Sequence, residues 1–119
     1  MSLAYPRRMA SRSHAAVYAR RRKRRMAKVP HDLTDEQWAA LVAAWCGCAY
    51  CGADGPLQRD CMLPIARGGR YTQANVVPAC GSCNASKCNH ELTTWMRRKG
   101  LDEAAFLLRQ AQIAGRLAD

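Results

Sequence analysis

Apolar residues recur at helical spacing in three stretches of this chain and at strand-like density in two others. Trp38, Leu41, Val42 and Trp45 fall at i, i+3, i+4 and i+7, which lines one face of a helix. Thr34 and Gln37 form a capping box at its start, Leu33 and Trp38 occupy the staple positions, and Gly47 ends it. Two tryptophans beside Leu and Val at this spacing read as core rather than as a base-stacking platform. Residues 57–63 (LQRDCML) suit a short strand, 64–73 (PIARGGRYTQ) a loop built around a glycine pair, and 75–78 a returning strand. Helical composition follows over 80–90. Leu92, Trp95 and Met96 extend an amphipathic pattern to Lys99, where Gly100 stops it. Asp102 then caps a last helix with the stripe Ala105, Phe106, Leu108, Ala111 and Ile113.

The order helix, strand, loop, strand, helix, helix predicts a small α+β domain over 31–119, with its core at 46–90 and C-terminal helices at 91–117. Residues 1–30 precede it as an arm that ends at Val29-Pro30, a dipeptide that disfavours helix. With 119 residues in all, the chain can bury only a small core, and such domains commonly rely on a metal or on disulfides.

Charge divides the chain at the same place. Ten of the 19 Lys and Arg residues lie in 1–28, where there is no acid; the other nine are balanced by nine Asp and Glu, so the net charge of +10 is that of the arm. The block Arg20, Arg21, Arg22, Lys23, Arg24 and Arg25 is denser than solubility requires and suits salt-sensitive neutralisation of phosphates, hence a DNA partner. An organellar targeting peptide shares this composition and is the lesser reading. The longest apolar run, from Trp38 to Cys46, is far too short to cross a bilayer.

Seven cysteines is an odd number, and no secretory signal precedes them, so a metal site in a reducing, cytoplasmic setting is expected rather than a disulfide framework. Cys48 and Cys51 form one CxxC, and Cys80 and Cys83 another. Two such pairs are what a tetrahedral structural Zn²⁺ site requires, and no βαβ pattern surrounds either pair to suggest thioredoxin-like redox chemistry. Cys46 could exchange with Cys48 but is expected to be a spare, buried in the helix end. Cys88 reads as a small buried hydrophobe on its helix, and His90 as a surface or packing residue.

The segment 48–87 resembles the HNH endonuclease family with its ββα-metal fold. It has CAYC at Cys48, Arg59-Asp60 followed after one residue by MLP, the glycine pair at Gly68, Ala74-Asn75, and CGSCNASK from Cys80, in that family's order. The resemblance implies DNA phosphodiester hydrolysis, with double-stranded DNA as partner, in bacteria, their phages or the infected host cell. It places Asp60 and Asn84 as ligands to a catalytic Mg²⁺ or Mn²⁺, Asn75 as the residue that orients the base, and Lys87 as a phosphate contact. Oxygen donors of this kind suit a hard cation. Arg67 and Arg70, beside the glycine pair, either grip the DNA backbone or are solvated loop charges. Taken singly, Asp60 could instead pair with Arg59 or Arg70, and Asn75 and Asn84 could be turn and cap residues.

The departure from the family is Cys61, which stands where the resemblance implies the general-base His. An ordinary thiol, with a pKa near ~8.5, is poorly matched to that work at neutral pH. Two further functions therefore stay open: a nuclease-dead DNA-binding module, and a zinc-ribbon adaptor for protein or RNA, which would have no use for a metal-binding carboxylate at Asp60.

Overall fold

A computed structural model describes residues 32–118, together with Val17, Arg20 and Arg21 of the arm. Arg20 and Arg21 are helical and exposed; Arg22, Lys23, Arg24 and Arg25, and the arm boundary near residue 30, lie outside the described residues. The fold is α+β. Helix α1 (Asp35–Trp45) leads into β1 (Leu57–Cys61), a 3-10 turn (Ile65–Arg67), β2 (Val76–Cys80), α2 (Gly81–Lys87), α3 (Leu92–Lys99) and α4 (Glu103–Leu117). No helix among the described residues is long and apolar enough to cross a membrane.

Local chemistry sets the helix ends. The Thr34 hydroxyl accepts from Gln37 N at 3.0 Å while Gln37 Oε1 accepts from Thr34 N at 2.9 Å, the reciprocal box read from the sequence. Glu91 caps α3 by accepting from the amides of Thr93 and Thr94, and Asp102 caps α4 by accepting from Ala105 N. Cys46 ends α1 in the left-handed region at φ 56°, its amide donating to Val42 O. That conformation turns its side chain outward, so Cys46 is exposed and not buried in the helix end as expected.

The two strands are antiparallel, with Leu57 opposite Cys80, Asp60 opposite Val77 and Cys61 opposite Val76. Four of the five β2 residues are buried, because α1 and α2 both pack against the strand. Trp45 of α1 stacks on Phe106 of α4 at 5.5 Å, and Tyr50 meets Trp95 edge-on at 5.0 Å and Phe106 at 5.1 Å. These rings, with Leu41, Val76, Val77, Met96 and Ile113, form the core. The stripe expected on α4 is narrower than its sequence suggests. Phe106 and Ile113 are buried, but Leu108 is 62% exposed, since two residues on from Phe106 is about 200° around a helix.

Asn75 closes the loop between the strands. Its Oδ1 accepts from Leu63 N at 2.9 Å, and its Nδ2 donates to Leu63 O at 3.0 Å and Arg70 O at 2.8 Å. The loop is drawn so tight that a Cβ built on Gly69 would lie 1.7 Å from Leu63 O, whereas Gly68, at φ +95°, faces open space. Gly69→Ala is therefore expected to cost about 2 kcal/mol or more through forced backbone movement, and Gly68→Ala only about 1 to 2 kcal/mol from its left-handed conformation. Urea unfolding of the two variants checks this order.

Candidate metal centre and nuclease site

The four cysteines of the two CxxC pairs converge. Cys48 and Cys51 come from the turn after α1, Cys80 ends β2, and Cys83 lies in the first turn of α2; their sulfurs all lie within 4.8 Å of one another. Cys51 Sγ and Cys80 Sγ are 3.8 Å apart, which is about the edge of a tetrahedron built with Zn–S bonds of ~2.3 Å. Cys46 is outside this cluster, so the structure selects Cys48 of the two. The turn is shaped for the purpose: Gly52 N donates to Cys48 O at 2.8 Å, and Ala49 N ties it to β2 through Pro78 O at 2.8 Å. The Cys80 sulfur also accepts from Cys83 N at 3.4 Å.

The electrostatics of the cluster call for a cation. Burial pushes the Cys48 thiol up, but amide hydrogen bonds at Cys80, Cys51 and Tyr50 outweigh it and bring its pKa down to about 7. Cys83 is pushed well up by burial and by the neighbouring sulfurs. Four thiolates this close cannot all ionise unless a positive charge lies among them, and a structural Zn²⁺ is the ion that this donor set fits.

Residues of β1 and α2 also line a pocket of about 350 Å³ whose walls include Arg59, Asp60, Cys61, Tyr71, Asn84 and Cys88. Asp60 is buried at 5% exposure and pointed by two donors, Tyr50 Oη at 2.5 Å and Lys87 Nζ at 3.2 Å, both on Oδ2. Burial raises its pKa above the usual carboxylate value, opposed by the Tyr50 hydrogen bond and the Lys87 charge. Both donors are on Oδ2, and neither reaches Oδ1. Asn84 Nδ2 donates to Gln58 Oε1, which leaves the Asn84 amide oxygen to accept or to ligate.

Three expectations are corrected here. Lys87 is not a surface phosphate contact: it is 0% exposed, paired with Asp60, and donates to the Cys61 carbonyl at 2.8 Å. Its position on α2 faces β1 rather than solvent, so its charge supports the site from beneath. The partner of Asp60 is accordingly Lys87 and neither Arg59 nor Arg70; Arg59 pairs with Asp35 at 3.2 Å and lies 5.2 Å over the Trp38 ring. Cys88 is not a buried hydrophobe. It follows the last turn of α2 at φ 48°, is exposed, and shares the pocket wall with Cys61.

The Asn75 side chain binds the backbone of Leu63 and Arg70, and its carbonyl accepts from Met62 N at 2.8 Å, one residue from position 61. Arg67 donates to Asn89 O at 2.7 Å, and Arg67 and Arg70 are exposed near the pocket. His90 is exposed. Tyr50 was not anticipated as part of the site. The available signal was a tyrosine inside the CxxC turn, an aromatic whose hydroxyl needs a partner once the ring is buried.

Residues 48–90, about a third of the chain, match the model of a family described as HNH endonuclease. No curated protein and no solved structure matches the chain. The segment is thus similar to HNH endonuclease domains, and its four cysteines are placed to hold a metal ion. Its role is that of a nuclease or nucleic-acid-binding domain in general.

Metal analysis of the purified chain is expected to return about one tightly held zinc. Replacing Cys80 and Cys83 by Ser should abolish both zinc and folding, while Cys46→Ser and Cys88→Ser should keep both. A folded, zinc-free Cys80/Cys83 double variant would remove the structural role from the cluster.

Proposed function

We propose that this chain is a metal-dependent endonuclease acting on phosphodiester bonds of double-stranded DNA, slowed or silenced by Cys61 at the proton-abstraction position. The observation that carries this reading is the single pocket whose wall includes Asp60, Cys61 and Asn84. Asp60 Oδ1 and the Asn84 amide oxygen are hard donors that would hold Mg²⁺ or Mn²⁺. Such an ion, when bound, supplies charge neutralisation at the scissile phosphate and its leaving oxygen.

The chain's own residues supply the rest. Lys87 and Tyr50 hold Asp60 in place from the interior. Arg67 and Arg70 offer positive charge to the DNA backbone beside the cut, and Arg20, Arg21, Arg22, Lys23, Arg24 and Arg25 offer it at longer range. Cys61 occupies the position from which a water would be deprotonated. Its thiol must lose its own proton before it can accept one, and general-base catalysis is worth about 10² to 10⁴-fold. That residue also favours the second reading, a DNA-binding module that no longer cuts.

A supercoiled-plasmid assay with Mg²⁺ or Mn²⁺ separates the two. The chain as it stands should nick slowly or not at all, and Cys61→His should raise the rate by about 10²-fold or more. A Cys61→His variant that binds the plasmid yet leaves it intact would overturn the nuclease reading in favour of the binding module. Replacing the six basic residues from Arg20 to Arg25 by Gln should weaken binding and reduce the slope of log affinity against log salt by up to about 5. An unchanged slope would show that the arm makes no phosphate contacts.

A further inference from the structure

The zinc-site turn and the pocket are joined through one side chain. Tyr50 lies between Cys48 and Cys51, and its ring is buried between Trp95 and Phe106. The backbone that carries it is pinned by Ala49 N to Pro78 O and Gly52 N to Cys48 O, both at 2.8 Å. Its hydroxyl has a single proton, and that proton goes to Asp60 Oδ2 at 2.5 Å. Lys87 Nζ reaches the same oxygen from α2 at 3.2 Å. Two donors from different elements on one oxygen fix the rotation of the carboxylate, because turning it breaks both contacts at once.

We propose that Tyr50 is a positioning residue that uses the rigidity of the four-cysteine turn to hold Asp60 with Oδ1 directed to the pocket. The proposal rests on the reading of Asp60 as a ligand for a divalent ion. It makes the cysteine cluster more than a staple: the turn that the cluster shapes sets the orientation of a site ligand some ten residues along the chain. Lys87 compensates the Asp60 charge from 3.2 Å and also serves the Cys61 carbonyl, whereas the shorter Tyr50 contact comes from a ring packed in the core and is the tighter of the two constraints on direction. Partners that orient metal ligands in this way typically matter by 10 to 100-fold in metal affinity.

The test is a Mn²⁺ titration of the full zinc-loaded chain, with free Mn²⁺ followed by electron paramagnetic resonance, on the parent, Tyr50→Phe and Asp60→Asn. Zinc content and thermal midpoint are measured on the same samples. Tyr50→Phe keeps the ring and its packing, so about one zinc and a folded chain are expected, with Mn²⁺ affinity reduced about tenfold or more. A purely structural role would lower the midpoint and leave Mn²⁺ affinity unchanged; that result overturns the proposal while the Asp60 reading stands. If the parent and Asp60→Asn bind Mn²⁺ alike, no ion sits on Asp60, and the ion reading and this proposal fall together. Should Tyr50→Phe lose zinc or fold poorly, 4-fluorophenylalanine at position 50 fills the place of the hydroxyl with an atom that has no proton to donate. A changed Mn²⁺ affinity then supports the positioning role, and an unchanged one overturns it.

Discussion

The convergence of four cysteine sulfurs at the junction of the α1–β1 turn with β2 and α2 is the constraint on which the rest of this domain depends. A two-stranded sheet is marginal by itself, and among the described residues neither strand has a further neighbour to complete it. The cluster fastens the chain before β1 to the chain after it. That brings the Tyr50 ring against Trp95 and Phe106 and closes the core around β2. A cation there contributes to folding as well as to geometry, because it makes compatible four thiolates that would otherwise repel one another.

The interior of the site is unusual for so small a protein in burying an ion pair. Lys87 and Asp60 are both removed from water, and the pair is tolerable because each is further compensated, Lys87 by the Cys61 carbonyl and Asp60 by Tyr50. Removing one partner of such a pair leaves an uncompensated charge and costs several kcal/mol. The arrangement therefore ties β1, α2 and the cysteine turn together through a single carboxylate oxygen, Oδ2. Residues that bear on the site thus act from two levels, Asp60 and Asn84 at the pocket wall and Tyr50 and Lys87 behind it.

Much of this was legible in the sequence because it is local. The Thr34–Gln37 box, the Asp102 cap and the stop at Gly100 each depend on a few neighbouring residues. The CxxC spacing names the ligands whatever lies between the pairs, and the ordered matches from Cys48 to Lys87 placed Asp60, Cys61 and Asn84, which share the pocket wall. What escaped was decided by tertiary contact. Helical spacing puts Lys87 on the same helix as Asn84, but only the packing of α2 on β1 turns its amine inward. Nothing near Cys88 signals that the helix ends at Lys87 and leaves its thiol outside. Leu108 looked like core because the apolar stripe of α4 is wider than the surface available to cover it.

The positive-φ residues that follow α1 and α2, Cys46 and Cys88, have a practical corollary. Each places a thiol on the surface and outside the zinc cluster, one at the end of α1 and the other on the pocket wall. Exposed thiols are the ones that alkylating reagents and air reach first. The domain thus carries two attachment points for spectroscopic labels, one on the pocket wall and one on a separate element.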